Sequence, residues 1–351
     1  MTENNVLQLK IVAVKQETAL AKTYTLEPLT GLSPRHRPGQ FLTFLLNIRG
    51  QEIRRSYSIL SLPGEPLKIT VKKVVNGQVS RYILDTWEMN SVVQALSPAG
   101  RFTPEPIPNA QRDIFCFAAG SGIIPILPQI RYLLEEEPQS VIHLIYSNHN
   151  EADTLFLDEI EDLAKRYQQL ELVFLFSDPV LRLAEQGRLS NLSTEVLLDR
   201  LLRFDRNNSL FLLCGPFSYM RMLRFTIGLM GFKKENILKE NYLPEIMRAG
   251  NVQLKRFPDA LAHFSMNGTK TEVQVKSGQS LLDAGLAAGL NLPYSCKGGV
   301  CGNCAAVCRG GEVYMSINEV LTEAELKKGW VLTCTGFPAQ SPVTINFQDV
   351  W

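Results

Sequence analysis

The spacing of hydrophobic residues changes twice along the 351-residue chain. Between residues 6 and 103, short apolar runs alternate with turn residues, which is typical of an antiparallel sheet or barrel. Only the stretch SRYILDTWE, from residue 80, has a helical pattern in that region. From 112 to 240, buried-type apolar strands alternate with amphipathic helical segments, which predicts an α/β region with a mainly parallel sheet.

The last third of the chain begins with a stretch, 244–258, that has neither the strand nor the helix period. A hairpin pattern, a short helical segment and a cysteine-rich loop follow it. We therefore predict an antiparallel β domain at 1–107, a parallel α/β domain at 108–243, a linker at 244–258 and a small C-terminal domain at 259–351.

The charges of the chain are balanced, with 36 Lys and Arg against 35 Asp and Glu. No overall field would attract nucleic acid or an anionic membrane, so we expect neither as a partner. No secretion signal is visible, and the longest apolar region is broken by Gly and Pro, so no membrane span is expected. These features predict a cytoplasmic protein, in which clustered cysteines serve as metal ligands more often than as disulfides.

Four of the seven cysteines have the spacing of a plant-type 2Fe-2S site. Cys296, Cys301 and Cys304 form the pattern C-x4-C-x2-C, and Cys334 follows in WVLTCTG. The same loop holds three glycines, Gly298, Gly299 and Gly302, which allow the backbone to fold closely around a cluster and direct its N–H groups at the sulfurs. A structural zinc site normally needs two close C-x2-C pairs, and only one is present. Zinc, disulfides and a purely structural role for the thiols remain the alternatives.

The first domain contains two elements that suit a flavin nucleotide. In RRSYSIL, Arg55 offers a planar guanidinium that forks onto phosphate oxygens, and Tyr57 offers an aromatic face beside Ser58. Further along, Gly77-x-x-Ser80 opens the helical segment, where amides at a helix N-terminus can hold a pyrophosphate. The alternative interpretation is an ordinary strand with an exposed arginine.

The second domain contains two elements that suit a nicotinamide dinucleotide. FAAGSGIIP places Gly120, Ser121 and Gly122 between an apolar strand and a helix, although Pro125 stands where the third glycine of G-x-G-x-x-G would be. A later strand ends in LLCGPFSYM, which contributes Cys214, Gly215 and Pro216. An ordinary strand-to-helix turn and a buried cysteine are the alternatives.

Taken in order, these motifs resemble the ferredoxin–NADP reductase superfamily, and residues from about 260 onward resemble a plant-type ferredoxin domain with a β-grasp fold. The resemblance implies that Arg55 pairs with flavin phosphate, that Tyr57 packs on the isoalloxazine and that Ser58 approaches its reactive nitrogen. It also implies that the segment from Gly77 to Ser80 holds the pyrophosphate, with FAD as the flavin.

The same resemblance extends to the nicotinamide side of the site. It implies that Gly120, Ser121, Gly122 and the C-G-P element bind NAD(P)H, with Cys214 near the nicotinamide. Glu240 and Tyr242, in KENYLP, would close the domain beside the flavin. Ser58, Cys214 and Glu240 are therefore the expected catalytic residues. YSNHNEAD lacks an arginine for a 2′-phosphate, so no strong preference for NADPH is expected.

The whole chain resembles flavin reductases with a C-terminal ferredoxin domain, in particular reductase components of the phenylacetyl-CoA epoxidase type. A nicotinamide delivers two electrons together and a 2Fe-2S cluster accepts one, and a flavin is able to connect the two. We therefore expect electrons to pass from NAD(P)H through FAD and the cluster to a partner protein, such as a multicomponent oxygenase. A reductase for a hybrid-cluster or stress-defence protein and a cluster-based redox sensor are the alternatives. The sequence names neither the acceptor nor the oligomeric state.

Overall fold

A computed structural model of the protein describes residues 6–180, 185–241, 257–266 and 268–347. The chain divides into two compact units, Met1–Glu240 and Asn241–Trp351. Of the predicted linker, only Phe257 and Pro258 belong to the described residues, and neither is part of a helix or strand. The boundary at 107 and 108, inside the first unit, stays a prediction.

The first unit begins with a six-stranded antiparallel sheet of order β4-β3-β6-β1-β2-β5. An isolated bridge between Ile59 and Ile69 connects the chain just after β4 to β5, so the two edges of the sheet meet as in a barrel. Inside it lie the fully buried side chains of Tyr24 and Phe44. The strands are β1 (Val6–Thr18), β2 (Ala21–Pro28), β3 (Phe41–Ile48), β4 (Gln51–Ser58), β5 (Leu67–Lys72) and β6 (Val92–Ala99), with helix α1 (Gln78–Thr86) between the last two.

The second sheet of this unit is parallel throughout, with the order β10-β9-β8-β7-β11-β12. Its strands are β7 (Asp113–Ala119), β8 (Val141–Asn148), β9 (Leu170–Phe176), β10 (Glu185–Gln186), β11 (Leu210–Cys214) and β12 (Ile237–Glu240). The helices are α2 (Ile123–Glu136), α3 (Leu157–Arg166), α4 (Asn191–Leu201) and α5 (Phe217–Leu229). Parallel strands connected by helices confirm the predicted α/β architecture.

Helix α2 connects the barrel to the parallel sheet. It is apolar nearly all round, and every residue from Ile123 to Ile130 is buried, because both neighbours cover it. Ala21 and Phe102 of the barrel belong to the same hydrophobic core as this helix. At the rim, Arg131 of α2 donates a hydrogen bond of 3.2 Å to Glu65.

The second unit is a small mixed sheet with a helix packed against it, as the β-grasp resemblance predicts. Its five-stranded sheet has the order β14-β13-β19-β15-β17, with only the β13–β19 pair parallel. These strands are β13 (Ala260–Met266), β14 (Thr269–Val275), β15 (Ala305–Gly310), β17 (Trp330–Leu332) and β19 (Val343–Asn346), and β16 (Val313–Met315) pairs with β18 (Gly336–Pro338) in a separate two-stranded sheet. The helix Leu281–Ala287 buries Leu281 and Leu282 in the core, and a second short helix spans Glu323–Lys327. Within the described ranges, none of the helices has the length and apolar character that a membrane crossing requires.

Candidate functional site

The predicted flavin motif occupies the end of strand β4. Alternation along the strand places Arg55 and Tyr57 on the same face and Ser58 on the other. Arg55 is exposed, and its Nη1 donates to the carbonyl oxygen of Arg54 at 3.0 Å. Tyr57 is half-buried, with its ring centroid 6.1 Å from that of Phe44. Burial raises the pKa of Tyr57 and outweighs the charge of Arg55, which lowers it, so the phenol stays neutral.

Gly77 and Ser80 shape the turn that leads into helix α1. The Ser80 hydroxyl is buried and accepts a hydrogen bond from the N–H of Val74 at 3.0 Å. A Cβ atom on Gly77 would lie 2.7 Å from the Ser80 hydroxyl and 2.8 Å from the Cβ of Val74, so the turn requires glycine. The first turn of α1 has no side-chain cap, which leaves its amide groups suited to an anion.

The two predicted nicotinamide elements contact each other at the carboxyl ends of neighbouring parallel strands. The residues Gly120–Gly122 form a single 3-10 turn between β7 and α2. A Cβ atom on Gly122 would lie 2.0 Å from the carbonyl oxygen of Cys214, so only glycine permits this approach. The hydroxyl of Tyr146 donates to the carbonyl oxygen of Gly120 at 3.1 Å and supports the turn. The carboxyl edge of a parallel sheet is where open α/β folds bind dinucleotides.

The C-G-P element leads from β11 into helix α5. A Cβ atom on Gly215 would lie 2.9 Å from that of Ala119, and Pro216 immediately precedes the helix. Cys214 is fully buried in the hydrophobic core. Its thiol is therefore enclosed by protein, while its carbonyl lies against Gly122.

The structure brings together the three residues that the sequence predicts to be catalytic. The Ser58 hydroxyl, which is 3% exposed, donates to Oε2 of Glu240 at 3.0 Å. Glu240 ends β12 and is the register partner of Cys214 on β11. The contact therefore connects the end of a barrel strand to the end of a strand in the parallel sheet. Tyr242 lies outside the described residues.

Sequence reasoning noted the stretch YSNHNEAD, which contains His149 after β8, but missed the carboxylate of Asp178, which follows β9. His149 Nδ1 lies 3.1 Å from the Ser177 hydroxyl, and its Nε2 lies 3.7 Å from Oδ2 of Asp178. His149 and Asp178 are exposed at the same sheet edge as the Gly120 turn. The signal that would have found Asp178 is a carboxylate two residues after the end of the apolar run LELVFLF.

The four predicted cluster cysteines form a chain of thiol contacts in the second unit. Cys296 accepts hydrogen bonds from Cys301 and Cys334, and Cys334 also contacts Cys304. These bonds from the Cys301 and Cys334 thiols, with backbone N–H bonds from Gly298 and Val300, hold the pKa of Cys296 well below its usual range. The pKa values of Cys301 and Cys334 are raised above the ordinary range, because each is hydrogen-bonded to a neighbouring sulfur. One thiolate is thus favoured within the group.

The backbone around these thiols fits a cluster. The N–H of Gly298 points at the sulfur of Cys296 at 3.3 Å. Gly299 has a φ of +74°, and a Cβ atom there would lie 2.7 Å from the carbonyl oxygen of Ile317. The hydroxyl of Thr333 donates to the carbonyl oxygen of Cys304 at 2.9 Å and so holds the segment of Cys334 against that of Cys304.

The fit to a cluster depends on the donor set and the directed amides. Among the described residues, no three His, Cys, Asp or Glu side chains already have the arrangement of a metal-ion site. Three thiols on a glycine-rich loop and a fourth, Cys334, between β17 and β18, with N–H groups aimed at sulfur, are the donors that a 2Fe-2S cluster uses. Cys308 is half-buried, and its thiol contacts the carbonyl oxygen of Gly310 at 3.3 Å instead of this group.

Comparisons with known proteins agree with this arrangement. An oxidoreductase FAD-binding domain matches residues 12–103, an oxidoreductase NAD-binding domain matches 117–224, and a 2Fe-2S iron-sulfur cluster binding domain matches 264–339. A 1,2-phenylacetyl-CoA epoxidase component from Escherichia coli (strain K12) is 33% identical over 350 residues, which cover 97% of each chain. The chain belongs to this family of flavin and iron–sulfur reductases.

Two further relatives match nearly the full length of this reductase. The ferredoxin reductase component of 3-ketosteroid-9-alpha-monooxygenase from Mycolicibacterium smegmatis is 28% identical and covers 99% of this chain and 98% of its own. The structure of phthalate dioxygenase reductase covers 97% of this chain and 98% of its own at 21% identity, with a TM-score of 0.59, and shows the same fold. The reductase is an NAD(P)H-dependent electron-transfer oxidoreductase with FAD, NAD and 2Fe-2S domains.

Proposed function

We propose that this reductase passes electrons from NAD(P)H through FAD and a 2Fe-2S cluster to a terminal oxygenase of the phenylacetyl-CoA epoxidase type. The hydrogen bond of 3.0 Å between Ser58 and Glu240 is the observation that carries the proposal. It joins the end of the strand that bears the flavin motif to the edge of the sheet that bears both nicotinamide elements. A flavin and a nicotinamide bound by these elements would meet at this contact.

Each motif then has a proposed task. Arg55 binds flavin phosphate, Tyr57 covers the flavin ring, and the helix start that Gly77 and Ser80 shape binds the pyrophosphate. The dinucleotide is bound by Gly120, Ser121, Gly122, Gly215 and Pro216, with Tyr242 as a further contact of the flavin. Ser58 and Glu240 orient the reacting rings, and Cys214 supports this site from within the core.

The proposed cluster ligands are Cys296, Cys301, Cys304 and Cys334. Their sulfurs must be reduced to bind iron, which fits a reducing cytoplasm. The acceptor is proposed from relatives whose names describe oxygenase reductase components. The balanced charge of the chain supports a protein partner and no nucleic acid.

Replacement of one ligand tests the electron path. We expect Cys304→Ser to retain FAD and NAD(P)H-dependent reduction of ferricyanide, which takes electrons directly from flavin. The same variant should lose nearly all reduction of cytochrome c and of a phenylacetyl-CoA epoxidase-type oxygenase. Cys308→Ser is the matched control, because Cys308 lies outside the thiol group, and it should keep both activities.

Two outcomes would count against this assignment. Equal loss of ferricyanide and cytochrome c reduction in a Cys304→Ser protein that still holds flavin would contradict the cluster as the exit for electrons. Failure of the native protein to reduce any protein acceptor at a useful rate would favour the redox-sensor alternative.

A further inference from the structure

Lys297, the residue directly after Cys296, has an unusual backbone conformation. Its φ is +50°, in the left-handed region that side chains other than glycine and asparagine rarely adopt. This bend turns the next amide back, so that the N–H of Gly298 faces the sulfur of Cys296 at 3.3 Å. The conformation of Lys297 therefore directs a hydrogen bond at a proposed cluster ligand.

The side chain of Lys297 is held at both sides. Its Nζ donates to Oδ1 of Asp283 at 3.0 Å and lies 4.9 Å from the centroid of the Tyr294 ring. Asp283 is itself fixed, because its Oδ2 accepts from the Ser280 hydroxyl at 2.9 Å and its N–H donates to that hydroxyl at 3.1 Å. These contacts fasten the cysteine loop to the start of the helix Leu281–Ala287.

Stability alone does not account for this arrangement. The side chains of Lys297 and Asp283 are 37% and 53% exposed, and an ion pair in that setting contributes about 0–1 kcal/mol. The position of the Lys297–Asp283 pair is more informative than its contribution to stability. The pair places a cation and an anion next to a loop whose sulfurs are proposed to bind iron. A 2Fe-2S cluster gains one negative charge on reduction, so each of these charges affects the two redox states differently.

We propose that Lys297, held between Asp283 and the ring of Tyr294, is a positioning residue that sets the reduction potential of the 2Fe-2S cluster. The inference rests on the proposed ligand set of Cys296, Cys301, Cys304 and Cys334. The Lys297 cation stabilises the reduced cluster, and the Asp283 carboxylate opposes it. In the native protein the two effects largely offset each other.

The test is a redox titration of the cluster in the purified full-length protein, followed by electron paramagnetic resonance. At the midpoint potential of the native protein, we expect Lys297→Met to decrease the ratio of reduced to oxidised cluster about threefold. This decrease corresponds to a midpoint potential lower by ~28 mV, at 59 mV per tenfold change for one electron. Asp283→Asn should increase that ratio by a similar factor. The double variant should return close to the native ratio, and Lys297→Arg, which keeps the cation, should match the native protein.

Lys270→Met is the matched control. Lys270 is exposed on β14, at the opposite edge of the five-stranded sheet from β17, so the same loss of charge should leave the potential unchanged. The inference would be overturned if Lys297→Met and Asp283→Asn shifted the reduction potential in the same direction, or if neither changed it. It would also be overturned if Lys270→Met shifted the potential as much as Lys297→Met. If the native protein contains no iron and shows no resonance signal of a 2Fe-2S cluster, the proposed ligand set is wrong, and this inference fails with it.

Discussion

At the scale of single residues, we expect hydride transfer to depend most closely on the hydrogen bond between Ser58 and Glu240. We expect Ser58→Ala to retain FAD and to slow flavin reduction by NAD(P)H about tenfold to a hundredfold, because a hydrogen bond to a charged group contributes about 1.5–3 kcal/mol. Stopped-flow absorbance of the flavin measures this rate. Ser56→Ala, on the same strand, removes a hydroxyl that is 3.0 Å from that of Thr43 and should have little effect. Equal rates in Ser58→Ala and the native protein would contradict the role of Ser58.

Asp178 supplies a residue-scale prediction about the choice of nicotinamide. Its exposed carboxylate stands after β9, beside His149, where it would repel a 2′-phosphate and accept a hydrogen bond from a 2′-hydroxyl. The native protein should therefore prefer NADH, and Asp178→Asn should raise kcat/KM for NADPH about tenfold, since removal of a like-charge contact of roughly 1.4 kcal/mol has that effect. Steady-state rates with each nicotinamide measure it, with Asp162→Asn on α3 as the control. A strong native preference for NADPH would refute it.

Site residues that lie in short motifs could be identified from the sequence. Site residues that come close to one another only in the folded protein could not. Three of the four cysteines are recognisable because one loop fixes their spacing, and Cys334 follows at the distance typical of a plant-type site. Asp178 carries no such spacing, because neighbouring parallel strands bring it beside His149 from a separate segment. The buried hydrogen bond of Ser80 to the Val74 amide was also invisible, since it depends on the path of the turn.

At the scale of elements, the strands with continuous apolar runs were predicted, and those defined by their neighbours were not. Strand β2, with the sequence AKTYTLEP, has mixed polarity and is placed by pairing with β1 and β5 on its two sides. Helix α4 has a weak apolar stripe, because Leu192 and Val196 are exposed. In both elements, strand pairing or packing in the folded protein determines the secondary structure more than the local hydrophobic pattern does.

The loops after β7 and β11 approach each other closely, and substitution of a glycine in one of them tests whether the fold needs this contact. We expect Gly122→Ala to destabilise the protein by about 3 kcal/mol, because the new Cβ would force the backbone of Cys214 away. Gly228→Ala, in α5, is the control: no atom lies within 4 Å of its Cβ position, so it should be neutral or stabilise by about 0.5–1 kcal/mol. Urea unfolding followed by circular dichroism compares the two. A Gly122→Ala protein as stable as Gly228→Ala would show that the loops do not need this contact.

At the scale of the whole molecule, the domains lie along the chain in the order FAD-binding, NAD-binding and 2Fe-2S, whereas the proposed electron path runs from NAD(P)H through FAD to the cluster. The FAD-binding and NAD-binding domains share a core around α2 in the first unit, and the 2Fe-2S domain has a core of its own in the second. This separation is consistent with one unit that accepts hydride and another that delivers single electrons. This separation could be predicted from the sequence because the hydrophobic period changes from one domain to the next. No comparable pattern in the sequence identifies the acceptor protein.

The most direct test of the electron path is anaerobic reduction of the cluster by NAD(P)H with and without flavin, followed by electron paramagnetic resonance. We predict that the native protein develops the signal of a reduced 2Fe-2S cluster within the time of flavin reduction. Protein stripped of flavin but still holding iron should develop none with NAD(P)H, should respond to dithionite, and should recover on addition of FAD. Rapid reduction of the cluster by NAD(P)H in the flavin-free protein, or none in the native protein, would contradict the account.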